Sequence, residues 1–97
     1  MLIAIGSARV LPGRRHELVS SAREVVAASR GEDGCHSYSF CADLTDEDTI
    51  VSLEVWRDQA ALDAHMTRAH TQTFLARVAE LVDGPPTVTV HEVPGPA

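Results

Sequence analysis

The sequence contains no lysine and only eight arginines among its 97 residues, against 14 aspartates and glutamates. The formal net charge is −6, and the arginines are scattered, with Arg14 and Arg15 as the one adjacent pair. Proteins that bind nucleic acid depend on clustered lysine and arginine to neutralise phosphates. The composition therefore argues against nucleic acid, and against an anionic membrane surface, as a partner.

Long apolar runs and paired cysteines are also missing. No apolar stretch approaches the roughly 20 residues that a membrane helix needs, and the apolar start lacks the basic region of a signal peptide. Cys35 and Cys41 fall in one predicted strand, where a rise of about 3.3 Å per residue separates them too far for a disulfide. Free thiols are typical of a reducing compartment, so we expect a cytoplasmic protein, without a structural zinc site.

The length predicts one domain over residues 1–97, with a core over about 2–93 and a flexible tail at 94–97. Strands are predicted at 2–10, 35–42, 49–56 and 87–93, where apolar residues alternate or cluster. Helical spacing runs from Arg14 to Ser29, and again from the N-cap Asp58 to Gly84, with a bend at 67–71. This β-α-β-β-α-β order predicts an α+β, ferredoxin-like fold with an antiparallel sheet.

The first and third strands are apolar on both alternating faces, whereas a sheet with one open face carries polar residues on that side. The two helical segments can cover only one face. We therefore expect a homodimer in which the second face of each sheet packs against its partner.

Recognisable catalytic motifs are absent, including nucleophile elbows, phosphate-binding loops and metalloprotease helices. What remains is a cluster around the third strand. Ser52, Glu54 and Trp56 share one face by their spacing of two. Facing the helices, they would lie opposite His65, Met66 and Phe74 and line an apolar pocket with a few polar groups.

Each of these residues also has a purely structural interpretation. Trp56 fits a core position at a strand end, and Glu54 needs a partner if it is buried. Histidines exchange protons near neutral pH, yet His65 equally suits a satisfied core position. His36 and Tyr38 share a predicted strand face that leads either to the pocket or to the dimer seam. His65 and His70 would lie about 140° apart on one helix, which disfavours joint metal ligation.

The pattern from Gly34 to Phe74 reads G-C-x-x-Y, followed by E-x-W-x-D-x-x-A-L-x-A-H-x-x-x-x-H-x-x-x-F. This pattern resembles the antibiotic biosynthesis monooxygenase family, over nearly the whole chain. The resemblance implies a dimeric α+β barrel with a pocket between sheet and helices in each subunit. It also implies a cofactor-independent monooxygenase that uses O₂ to oxidise a phenolic or hydroquinol aromatic to a quinone.

The resemblance also assigns roles by position. Trp56 matches a pocket tryptophan of the polyketide-oxidising members, and Ser52 stands where they have an asparagine. His65 becomes the candidate proton acceptor, which completes the catalytic set. The predicted substrate-binding residues are Glu54, Tyr38, His36, Met66, His70 and Phe74. No cofactor or metal is expected.

Two other functions stay open at this point. A non-catalytic dimeric module that binds a small aromatic would use the same pocket. Other reactions on small ring compounds, such as isomerisation or dehalogenation-like chemistry, stay open as well. Haem degradation, the activity of another branch of the family, is disfavoured, because its asparagine, tryptophan and haem-ligating histidine are replaced near Gly6, His65 and Leu75.

Overall fold

The computed structural model describes residues 1–95, and the last two residues of the tail predicted at 94–97 lie outside the described residues. The elements follow in the order β1 (Leu2–Arg9), α1 (Arg15–Ser29), β2 (Cys35–Ala42), β3 (Thr49–Trp56), α2 (Gln59–Met66), α3 (Ala69–Leu81) and β4 (Thr87–Glu92). The predicted α+β, ferredoxin-like arrangement is confirmed, with the second helical segment divided in two.

The four strands form one antiparallel sheet in the order β2-β3-β1-β4. Its register aligns residues from three strands across the sheet. Glu54 pairs with Ala4 on one side and Tyr38 on the other. Ser52 pairs in the same way with Gly6 and Phe40. Because side chains at paired positions share a face, the predicted polar pair on β3 is bordered by small residues and by aromatic ones.

A register shift in β2 changes which face its first residues present. The pairing with β3 slips between Cys35 and Ser37, which is the effect of a β-bulge. Cys35 packs against the core cluster that contains Tyr38 and Trp56, while His36 is exposed. The common face predicted for His36 and Tyr38 therefore does not form.

The helices cover one face of the sheet with two adjoining core clusters. The first is partly aromatic and comprises Leu2, Val25, Tyr38, Trp56, Ala61 and Leu62. The second is aliphatic and comprises Val10, Leu18, Ile50, Val78 and Leu81. Burial of such side chains contributes about 1.5–3 kcal/mol each, so these clusters fix the helices against the sheet. Among residues 1–95, no helix combines the length and apolar character that crossing a membrane requires.

The bend between α2 and α3 is shorter than predicted. Asp58 caps α2 by accepting a hydrogen bond from the Ala61 N–H at 2.9 Å. The helix ends at Met66, and α3 already begins at Ala69. His70 is therefore in the first turn of a new helix. The expectation that the helical angle separates it from His65 is wrong, since the two ring centroids lie 6.1 Å apart.

The turn before β2 packs closely against α2. Gly34 has φ +83°, a conformation that glycine adopts at little cost. A Cβ at this position would lie 2.6 Å from the Ala61 Cβ. Glycine therefore lets the turn at 31–34 approach the helices closely, which places Glu32 beside α2 and α3.

Candidate active site

A cavity of about 380 Å³ lies between the sheet and the helices. Its lining combines sheet residues from β1, β2 and β3 with residues from α2 and α3, among them Ala4, Gly6, Tyr38, Phe40, Ser52, Glu54, Leu62, His65, Met66 and Phe74. The rim includes Val88 and Val90 of β4, which are 66% and 49% exposed. A mostly apolar space with a few polar groups is typical of a small-molecule site.

Small residues on β1 make room for this cavity. Gly6 and Ser52 are paired across β1 and β3. A Cβ at Gly6 would overlap the Ser52 Oγ. The glycine therefore leaves space for the serine hydroxyl in the cavity wall, and a larger residue there would displace it.

His65 lies between two carboxylates, with only 2% of its side chain exposed. Its Nδ1 is 2.7 Å from Glu32 Oε2, and Glu32 is not among the residues that line the cavity. Its Nε2 is 3.5 Å from the Tyr38 hydroxyl and 3.7 Å from Glu54 Oε1. The ring also packs on Trp56, at a centroid distance of 4.6 Å. Contacts on every side thus fix the position of the imidazole.

Glu32 is the acceptor at the centre of this arrangement. Its side chain is 6% exposed, and its Oε2 also accepts a hydrogen bond from His70 Nε2 at 2.9 Å, while Arg68 Nε lies 3.4 Å from Oε1. Burial alone would raise the pKa of Glu32, but the hydrogen bonds from His65 and His70 outweigh it and lower that pKa. Because Glu32 is ionised, it accepts, and His65 Nδ1 must carry the proton. In the neutral ring, Nε2 is then unprotonated on the side of Glu54 and Tyr38.

Glu54 has the opposite electrostatic environment. Burial raises the pKa of this carboxyl, and the hydrogen bond from Trp56 Nε1, at 3.0 Å, only partly opposes the shift. Burial also raises the pKa of Tyr38, with Glu54 adding to the effect, so its hydroxyl stays protonated. The cavity wall therefore offers a hydroxyl donor, a basic ring nitrogen and a carboxyl that binds a proton readily.

Metal binding is the other function that residues around His65 could serve. Within the described part of the chain, Glu32, His65 and His70 are the group whose donor atoms lie close enough to hold one, within 4.8 Å of one another. Both imidazoles, however, donate to the same carboxylate oxygen, and Arg68 contacts the other. An ion would have to displace both hydrogen bonds. The cluster is thus organised as a hydrogen-bonded unit.

Six of the nine predicted site residues line the cavity: Ser52, Glu54, His65, Tyr38, Met66 and Phe74. Trp56 is fully buried and does not line the cavity; it contacts lining residues, donating to Glu54 and packing against the His65 ring. His70 contacts Glu32 on the far side of His65. His36 is exposed at the bulge, away from the cavity.

Glu32 was missed by sequence reasoning, which assigned 31–34 only to a turn. An acidic residue in a turn between two glycines is normally solvated. Its burial depends on the approach of two helices that follow more than 25 positions later in the sequence. No local sequence pattern predicts the contact of Glu32 with these helices.

The sequence matches the family described as antibiotic biosynthesis monooxygenase over residues 1–83. The chain therefore belongs to the antibiotic biosynthesis monooxygenase family. It is 36% identical over 85 residues to YcnE of Bacillus subtilis (strain 168), which covers 88% of this chain and 90% of that protein. It is 29% identical over 84 residues to the "Probable quinol monooxygenase YgiN" of Escherichia coli (strain K12), covering 76% and 81% of the two chains.

Two further likenesses complete the comparison. The protein sll1783 of Synechocystis sp. is 29% identical over 92 residues; the match spans 95% of this chain but only 63% of that protein's length. The solved structure of Rv0793 from Mycobacterium tuberculosis superposes with a TM-score of 0.91 at 29% identity, covering 99% of this chain and 97% of that one.

The opposite environments of the two carboxylates predict opposite effects of neutralising them. The pKa of folded Glu32 is lowered, so its ionised form stabilises the fold above its ordinary pKa, and this stabilisation is lost as the pH falls through the lowered pKa. The pKa of folded Glu54 is raised, so its ionisation opposes folding as the pH rises through that pKa.

At pH 7 we therefore expect Glu32→Gln to lower the free energy of unfolding by about 1–3 kcal/mol, because the buried His65 and the partly exposed His70 lose their charged acceptor. Glu54→Gln should leave the free energy of unfolding unchanged or raise it. Any gain in the free energy of unfolding over the wild-type chain should be smaller at pH 5. Urea denaturation at both pH values checks this. If the two substitutions lowered the free energy of unfolding equally at pH 7, the opposite environments assigned to Glu32 and Glu54 would be contradicted.

Proposed function

We propose that this chain is a monooxygenase that oxidises a phenolic or hydroquinol aromatic to a quinone with O₂ and without a bound cofactor. The observation that carries the proposal is the buried His65, whose Nδ1 is held by Glu32 while its Nε2 faces Glu54 and Tyr38 in the cavity wall. Membership of the monooxygenase family supports it. The name of the relative YgiN suggests a quinol substrate.

An aromatic ring fits the apolar part of the cavity. Phe40 and Phe74 meet edge to face at a centroid distance of 5.4 Å, and Leu62 and Met66 extend the same wall. A ring seated there would have its phenolic hydroxyl at the polar end. At that end His65 and Glu54 face the cavity, with the Ser52 hydroxyl nearby to hold an oxygen substituent.

His65 Nε2 would remove the phenolic proton, and Glu54 would stabilise the imidazolium that results, across 3.7 Å. Burial raises the pKa of Tyr38 and keeps its hydroxyl protonated, so this residue would donate a hydrogen bond to the phenolate. Trp56 is a positioning residue, because it holds Glu54 without reaching the cavity. Glu32 plays the same part for His65.

The electrons for O₂ would come from the substrate itself. The phenolate gives one electron to O₂, and the two radicals combine at a ring carbon to form a C–O–O bond. When that carbon carries one hydrogen in the phenolate, the peroxide takes back the proton from the His65 imidazolium to form a hydroperoxide. Loss of water then breaks its C–H and O–O bonds and leaves a carbonyl, with one oxygen atom in the product and one in water. A simple hydroquinol would instead give up two electrons and two protons, and O₂ would leave as hydrogen peroxide.

The test is oxygen uptake by metal-stripped protein in chelator, with a panel of hydroquinols and of anthrone-like phenols. We expect uptake above the autoxidation blank, with incorporation of ¹⁸O from ¹⁸O₂ into the product of the anthrone-like phenols. Catalase should return no oxygen for the anthrone-like substrates and half of the oxygen consumed if peroxide forms. His65→Gln should lower kcat about 100-fold, within the range of a lost general base.

His16→Ala is the matched control, since this exposed histidine of α1 lies outside the cavity. It should leave kcat unchanged. Ring compounds that bind the cavity but show no uptake above the blank would favour the alternative, a non-catalytic module that binds a small aromatic. Equal activity of His65→Gln and the wild-type chain would contradict the proposed role of His65.

We also propose that the chain acts as a homodimer through the open face of the sheet. Alternation places Ile3, Ile5, Val51, Leu53 and Val55 on the face away from the helices. Ile5 and Leu53 are each 39% exposed and lie opposite one another in the register. A contiguous apolar surface of this kind favours burial against a second sheet.

Leu53→Glu should therefore convert the dimer to a monomer, because it places a charge in the apolar contact. Light scattering coupled to gel filtration measures the mass. Leu44→Glu is the control, since Leu44 is a fully exposed loop residue. A wild-type chain that elutes as a monomer at micromolar concentration would contradict this part of the proposal. The predicted cytoplasmic location stays a prediction.

A further inference from the structure

The cavity between the sheet and the helices extends along the strands. Its sheet wall consists of three successive rows of paired residues from β1 and β3: Ala4 with Glu54, Gly6 with Ser52, and Ala8 with Ile50. At about 3.4 Å per residue, the first and third rows lie roughly 13 Å apart along β1. The cavity therefore has a long axis, and its two ends can be compared.

The polar end of this axis lies at the first row. Glu54 pairs there with Tyr38 in the sheet, and His65 Nε2 lies 3.7 Å from Glu54 Oε1. The second row contributes one hydroxyl, from Ser52, which pairs with Phe40 of β2. A phenolic hydroxyl would thus bind at the first row, and a second ring oxygen would find a partner one row further along.

The third row forms an aliphatic end. Ile50 belongs to a core cluster with Leu18 and Val78, and all three side chains line the cavity with at most 9% exposure. Ala8, the register partner of Ile50, contributes only a methyl group. A ligand group that reaches these side chains loses its hydration and gains no hydrogen bond from them. An apolar group is therefore favoured at this end.

The cavity also lacks a basic side chain that could pair with an anionic substituent. The sequence contains no lysine, and within residues 1–95 none of the eight arginines lines the cavity. Its acidic lining residues are Glu54 and Asp63. A carboxylate bound here would lose its water without gaining a guanidinium partner, and removing an unpaired charge from water is costly. The lining therefore disfavours anionic aromatics.

We propose that the substrate is an uncharged phenol or hydroquinol that continues, opposite its reacting hydroxyl, into an apolar group reaching the third row. This inference rests on the proposed function, which places the hydroxyl at His65. A single ring bound there is too short to fill the aliphatic end, whereas a second ring or a branched alkyl group fills it. Ala8 then determines the length of the substrate, because a larger side chain at this position would occupy the third row.

Ligand binding under argon tests this inference without turnover. The probes are phenol, para-phenylphenol, and two further para-phenylphenols whose second ring carries a carboxylate or the carboxamide of the same size. Amide NMR titration of the full chain at pH 7 gives the Kd and the location of each. We expect para-phenylphenol to bind roughly 10- to 100-fold more tightly than phenol, the range for burying one further ring. The carboxylate should bind at least about tenfold more weakly than the carboxamide.

A substitution at the aliphatic end tests the role of Ala8. Ala8→Leu should weaken the binding of para-phenylphenol to the level of phenol, because the leucine side chain takes the place of the second ring. Phenol binding should stay unchanged, which also shows that the variant is folded. Ala28→Leu adds the same side chain at an exposed position of α1, outside the cavity, and should leave the Kd of every probe unchanged.

The order of affinities in the wild-type chain decides the proposal even if Ala8→Leu does not fold. Equal affinity for phenol and para-phenylphenol would overturn it, and so would equal affinity for the carboxylate and the carboxamide. A folded Ala8→Leu chain that binds para-phenylphenol as tightly as the wild-type chain would overturn the role of Ala8. Failure of the proposed oxidation gives a different result, because oxygen uptake would then be absent in air while the predicted order of affinities holds under argon.

Discussion

The hydrogen bonds of Glu32 with His65 and His70, at 2.7 and 2.9 Å, join three separate parts of the chain. Glu32 comes from the turn before β2, His65 from the last turn of α2, and His70, which shares the same carboxylate oxygen, from the first turn of α3. The closeness of Gly34 to Ala61 allows this approach. Loss of this contact would remove the interaction that holds the turn, the helix junction and the imidazole in place.

The hydrogen bond between His65 and Glu32 also determines which nitrogen of His65 can accept a proton on the cavity side. An ionised Glu32 accepts a hydrogen bond from Nδ1–H, and so leaves Nε2 of the neutral imidazole as an acceptor on the cavity side. Glu54 lies on that side, and its pKa is shifted in the opposite direction to that of Glu32. Burial raises the pKa of Glu54, whereas hydrogen bonds lower the pKa of Glu32. The pKa values of two carboxylates of the same type are thus shifted in opposite directions around one ring. Pairs of groups whose environments separate their pKa values are a recurrent arrangement for moving protons.

Much of the fold could be predicted from the sequence because it depends on local pattern. Alternation and helical spacing identified the seven elements, and the spacing of Ser52, Glu54 and Trp56 placed them on one strand face. The rest depended on contacts that no local pattern contains. The bulge at His36 is a one-residue slip in pairing. The division between α2 and α3 altered the angle between His65 and His70. Glu32 is buried only by distant helices.

The account depends on the tautomer of His65, which long-range ¹H–¹⁵N correlation spectra of the histidine side chains report directly. The signal of His65 can be assigned by its loss in His65→Gln. At pH 8 we predict a protonated Nδ1 and an unprotonated Nε2, a preference that Glu32→Gln should weaken. A ring protonated at Nε2 alone, or at both nitrogens at this pH, would contradict the account, because no basic nitrogen would then face the cavity.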